Sequence, residues 1–141
     1  CYGDAALLDQ LFTNLISNAL KYSDSQRALK IFVEAKEIHN NIIYTVRDNG
    51  IGIAKNNLDK IWDIFYRINP RSDKTGEGIG LSLVRQITEK HKGKAWAESE
   101  ENKGSEFHIK LSRFPFKEFN IPQEENNYAE IQKPYNSNRR G

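Results

Sequence analysis

Apolar residues recur at three- and four-residue spacing from residue 4 to residue 22: Leu7, Leu8, Leu11, Phe12, Leu15, Ile16, Ala19 and Leu20. That spacing makes one stripe on a helix. Asp4, after Gly3, is placed to cap it by accepting a free amide of the first turn. Ser23-Asp24-Ser25 supplies the polar stop. The period then changes to two. Over residues 28–38, Leu29, Ile31, Val33 and Ala35 alternate with Lys30, Glu34 and Lys36, which predicts a half-buried strand. His39-Asn40-Asn41 reads as a turn, with Asn40-Asn41 tolerating positive φ, and residues 42–48 as the returning strand of a hairpin. Residues 54–76 lose the period, apart from an apolar knot around Ile61-Trp62 and Phe65-Tyr66, with a short helix expected over 57–64. Residues 69–78 read as a loop long enough to have a function. A second helix is predicted over 79–92, with Ile79, Leu83, Val84 and Ile87 inward and Gly93 as its stop. Two strands follow, 94–99 and 105–112. Residues 113–141 carry three of the four prolines and no period, and read as a polar, disordered or loosely packed tail.

This order, without strict strand–helix alternation, predicts an α+β sandwich with helices on one face of a mixed sheet. Residues 1–112 are expected to form one domain; the chain of 141 residues is large enough to bury a proper core. Composition narrows the partners. A net charge of +2 with both signs interspersed gives no argument for nucleic acid. The single cysteine excludes an intramolecular disulfide and fits a reducing, cytoplasmic setting. No apolar run approaches membrane-spanning length. The sequence contains no methionine, so it reads as a piece of a longer polypeptide.

Four stretches can carry chemistry. On the first helix Asn14 and Asn18 are one turn apart, and Lys21 extends the line towards Tyr22. An amide oxygen is a suitable Mg²⁺ ligand, and a lysine can meet a phosphate as a point charge. Each residue alone fits a solvated polar face better, and Tyr22 fits core packing better than a ligand stack. Asp48 ends a strand before Gly50 and Gly52, where a backbone can approach a ligand closely. A carboxylate accepts the N6 amino group of adenine and repels the O6 of guanine; Asp-Asn-Gly is equally a common turn. Gly76-Glu77-Gly78-Ile79-Gly80 opens a helix, where free amides suit phosphate. Without a following Lys-Ser/Thr or a strand immediately before it, it is not a P-loop; a flexible hinge is the other reading. Between the glycine clusters, Arg67, Arg71 and Lys74 can reach a phosphate or simply face solvent. His39, His91 and His108 have no zinc spacing.

Taken together, Asn14-x-x-x-Asn18-Ala19-x-Lys21-Tyr22, Asp48-x-Gly50-x-Gly52, Phe65-Tyr66-Arg67 and Gly76-x-Gly78-x-Gly80-Leu81 are decisive. In that order they resemble the N, G1, F and G2 boxes of the catalytic ATP-binding domain of bacterial two-component sensor histidine kinases. The resemblance covers roughly residues 2–112. It implies a two-layer Bergerat-type α/β sandwich: a mixed, mainly antiparallel sheet, helices on one face, and a mobile lid over ATP. It further implies that Asn18 binds Mg²⁺, Lys21 a phosphate, and that Tyr22 lines adenine while Asp48 accepts its amino group. Asn14, Gly50, Gly52, Ile53, Gly76, Gly78, Ile79, Gly80 and Leu81 would complete the nucleotide site. Phe65 and Arg67 would carry over from the F box, Arg67 as a catalytic cation.

In ATP-hydrolysing relatives, and in anti-sigma serine kinases, a glutamate stands four residues before the metal-binding Asn. Asn14 holds that place here, and an amide cannot act as a general base. Phosphoryl transfer is therefore expected over hydrolysis, with a degenerate nucleotide-binding docking module as the other alternative. None of the three histidines stands in the acceptor context. The resemblance thus implies a histidine-bearing dimerisation domain elsewhere in a homodimeric parent, a response-regulator receiver domain downstream, and an isolated domain that is monomeric.

Overall fold

The computed structural model describes residues 1, 3–68 and 78–114. Helix α1 spans Ala5–Lys21, strands β1 and β2 span Ile31–Ile38 and Asn41–Asp48, and helix α2 spans Gly80–Lys90. Strands β3 and β4 span Lys94–Glu100 and Gly104–Ser112. The four strands lie in the order β1-β2-β4-β3. The expected mixed, mainly antiparallel sheet is antiparallel at all three described pairings.

The helices cover one face, over β2, β4 and β3. Between the layers, Leu11 and Leu15 of α1 and Val84 and Ile87 of α2 meet Val46, Phe107, Ile109 and Leu111 of the sheet. Trp62 closes one end, edge-on to Phe107 with ring centroids 6.2 Å apart. Asp4 caps α1 as its position predicts, its Oδ1 accepting the Leu7 amide at 3.1 Å. The start of α1 is also tied to the end of α2, because the Asp4 amide donates to His91 Nε2 at 3.0 Å.

Several expectations change. The strand predicted from residue 28 begins at Ile31, since the Ala28 carbonyl and the Lys30 amide are taken by the Asn49 side chain at 3.0 and 2.7 Å. β1 is also an edge strand, beside the helices' cover over β2, β4 and β3, so Val33 and Ala35 are exposed rather than half-buried. A period of two marks a face without saying whether anything covers it. On α1, Ile16 and Leu20 are exposed, because the stripe is wider than the groove it packs into. The positive φ of the hairpin turn falls on His39, at 55°, not on the asparagines.

The short helix expected over 57–64 is replaced by two single 3₁₀ turns, Lys55–Asn57 and Lys60–Trp62. Its apolar knot is too short for a helical stripe: Ile61 and Trp62 bury side by side while Ile64 and Phe65 stay outside. α2 ends through Lys92, at φ 52°, with the Lys92 and Gly93 amides bonded to Glu89 and Thr88 carbonyls at 2.8 and 2.9 Å. That is a full Schellman stop, and the left-handed residue is Lys92 rather than the predicted glycine. The tail beyond residue 114 and the loop residues 69–77, including Gly76, Arg71 and Lys74, lie outside the described residues.

Candidate functional site

A cavity of about 370 Å³ opens where the end of α1, the end of β2 and the start of α2 converge. That is the size of a small-molecule site. Asn18 and Tyr22 line it from α1, Asp48 from β2, Gly52 and Ile53 from the following loop, and Leu81 from α2. Arg67 lines it as well.

Asp48 is buried at the strand end, and its Oδ1 accepts the Gly50 amide at 2.8 Å. Burial pushes its carboxyl above the usual range, while the Gly50 and Ser105 amides pull it back towards the charged form. A carboxylate has room for more than two donors, so a third can be added from the cavity. Gly50 itself packs against the Tyr22 carbonyl, where a side chain would collide. Gly52 has φ 69° and lies against the Glu100 carbonyl, a conformation and a closeness that only glycine tolerates. The loop is further pinned by Ile51, whose amide donates to Tyr22 O at 3.0 Å and whose carbonyl accepts the Asn102 amide at 2.7 Å. The Ile53 amide donates to Ser99 Oγ at 2.8 Å.

The start of α2 sits beside the two asparagines. A Cβ at Gly80 would lie 3.2 Å from Asn14 Oδ1 and 3.8 Å from the Asn18 amide. Ile79, at the cap position, supplies no side-chain cap to the first turn. Such a terminus presents amides suited to an anion. The Asn14 amide nitrogen donates to Gln10 O at 2.8 Å, which leaves its oxygen towards Gly80.

Not every predicted residue reaches the cavity. Lys21 ends α1 with its ammonium 5.1 Å from the centre of the Tyr22 ring. The Phe65 side chain is 67% exposed. Its backbone has φ 63° and its amide bonds the Gly78 carbonyl at 3.0 Å, joining the two ends of the loop. Among the described residues no three His, Cys, Asp or Glu converge to hold a metal ion.

Other contributors had no local signal in the sequence. Asn57 holds the Tyr66 hydroxyl at 3.0 Å, and both line the cavity. Ser105 and Asn102 form part of its wall. Arg27 reaches carbonyls 23 and 75 positions away, and no spacing rule links them.

Residues 3–115 match the model of a family described as histidine kinase-, DNA gyrase B-, and HSP90-like ATPase. The sensor protein kinase WalK of Staphylococcus haemolyticus is 37% identical over 110 residues, covering 77% of this chain and 18% of that protein. The chain thus spans less than a fifth of that relative's length. Among solved structures, a mycobacterial sensor histidine kinase, MprB, matches with a TM-score of 0.69 at 25% identity, over 81% of this chain and 75% of that one. The nucleotide-free catalytic domain of histidine kinase ThkA matches with a TM-score of 0.68 at 27% identity, over 80% and 71%.

Proposed function

The chain belongs to the family of histidine kinase-, DNA gyrase B- and HSP90-like ATPases, and from that premise we propose that it is the ATP-binding catalytic domain of a cytoplasmic sensor histidine kinase. Its reaction is transfer of the ATP γ-phosphoryl group to a histidine on a separate dimerisation domain, from which a response-regulator receiver domain takes it. The observation that carries this reading is the buried Asp48 carboxylate on the cavity floor, with Asn18 on the same cavity and the start of α2 beside it.

Asp48 accepts the N6 amino group of adenine, and Tyr22 and Ile53 pack along the base. Gly50 and Gly52 keep the backbone close enough for that contact. Asn18 would hold Mg²⁺ by its amide oxygen. When bound there, Mg²⁺ would neutralise phosphate charge, which together with positioning is what speeds such a transfer. The amides at the start of α2 hold the phosphates, Lys21 reaches them by leaving the Tyr22 ring, and Arg67 adds positive charge at the cavity wall. Asn14 offers no carboxylate to activate water, which favours transfer over hydrolysis.

The test is to add a separately produced dimerisation domain to this chain with radiolabelled ATP and Mg²⁺. Acid-labile label is expected on the added domain's histidine and none on this chain alone. Nucleotide binding without any transfer would favour a docking module, and steady phosphate release by the chain alone would favour a hydrolase.

A further inference from the structure

The Arg27 guanidinium joins three segments that the sequence keeps far apart. Its Nη2 donates to the Gly50 carbonyl at 2.9 Å and to the Asn102 carbonyl at 2.5 Å. The same nitrogen lies 3.1 Å from Asp24 Oδ2, so a carboxylate from its own turn orients it. Both carbonyls belong to residues that matter for the cavity. The Gly50 amide holds Asp48, and Asn102 forms part of the cavity wall at φ 63°. The Asn102 amide in turn bonds Ile51 O, so the floor loop and the β3–β4 turn are cross-tied at Ile51 and bridged by Arg27.

We infer that Arg27 is a positioning residue that sets the adenine preference of the cavity, by fixing Gly50, whose carbonyl it holds and whose amide in the preceding peptide aims Asp48, and the Asn102 turn that walls the base. The inference rests on reading the cavity as an adenine site. A planar guanidinium suits the task, because it holds the two N–H donors of Nη2 in fixed directions towards the two carbonyls, whereas an ammonium is a point charge on a flexible stem. Loosening the peptide lets the Asp48 carboxylate rotate and leaves the cavity wall free to move. Discrimination between ATP and GTP should suffer along with affinity.

The experiment titrates fluorescent ATP and GTP analogues, with Mg²⁺, into the wild-type chain, Arg27→Ala, Asp48→Asn and the double variant, with folding checked by circular dichroism. Arg27→Ala should weaken ATP binding about tenfold, the lower end expected for hydrogen bonds from a charged donor, and narrow the ATP-over-GTP ratio. In the Asp48→Asn background the same change should cost less than about threefold, since coupled residues are not additive. Arg27→Lys keeps the charge and should still show a narrowed ratio, which covers the case where the alanine variant does not fold. Unchanged selectivity in Arg27→Ala or Arg27→Lys, or additive losses in the double variant, overturns the inference while leaving the nucleotide site standing. A wild-type chain that binds neither nucleotide overturns both.

Discussion

A carboxylate removed from water is pulled two ways: burial favours its neutral form, and amide donors favour its charge. Asp48 sits at that balance with burial ahead, so its carboxyl is raised above the usual value of 3.8. A raised carboxyl contributes its full stability below the unfolded value and loses it as pH rises through the folded one. Near neutral pH, therefore, the ionised group weakens the nucleotide-free fold. Asp48→Asn keeps an oxygen for the Gly50 amide and removes the charge. We expect its melting temperature at pH 7 to equal or exceed that of wild type, with the difference closing as pH falls towards the usual carboxyl range. The same variant should bind ATP about tenfold or more weakly, as expected for a lost charge-assisted hydrogen bond, and discriminate less against GTP, because an amide can present either a donor or an acceptor. Thermal melts across pH and calorimetric titrations would check both halves. A variant that melts well below wild type only at neutral pH would contradict the burial argument.

At the scale of elements, the two helices hold each other's ends. Asp4 caps α1 with its side chain and offers its own amide to His91 Nε2, while His91 Nδ1 faces Ile87 O at 2.7 Å. With Nε2 accepting from the Asp4 amide, Nδ1 is left to donate to the Ile87 carbonyl. Asp4→Ala should cost about 1 kcal/mol, the usual worth of an N-cap, by urea denaturation. A result within error of zero would mean that the fastening to α2 holds the helix without its cap. The helix, its cap and the alternating strands were legible because each rests on neighbours within a few residues. The exposure of Val33 was not, since it depends on where the helices lie. Nor were the 3₁₀ turns, which exist because Ile61 and Trp62 must bury together against distant strands.

For the whole molecule, the cavity draws on both helices, both central strands and three connecting segments. The order of glycine and asparagine clusters along the chain was enough to pick out Asn18, Tyr22, Asp48, Gly52, Ile53 and Leu81 on the cavity, but not Asn57, Asn102 or Ser105. What ties them together was not legible, because Arg27 and Ser99 act on partners 23 to 75 positions and 46 positions away. Such links belong to the folded topology and leave no period in the sequence.

The outer position of β1 has a consequence unrelated to nucleotides. Phe32 and Val33 are 57% and 56% exposed on a strand with only one described neighbour. An open edge with apolar side chains invites strands from other molecules to pair with it. Glu34, Lys36 and Glu37 interrupt that edge with charge. Lys36→Val should therefore leave nucleotide binding intact while lowering the concentration at which light scattering rises; unchanged scattering would acquit the edge. On this account the colloidal behaviour of the isolated domain is governed by a few charged side chains on an edge strand none of whose residues line the cavity.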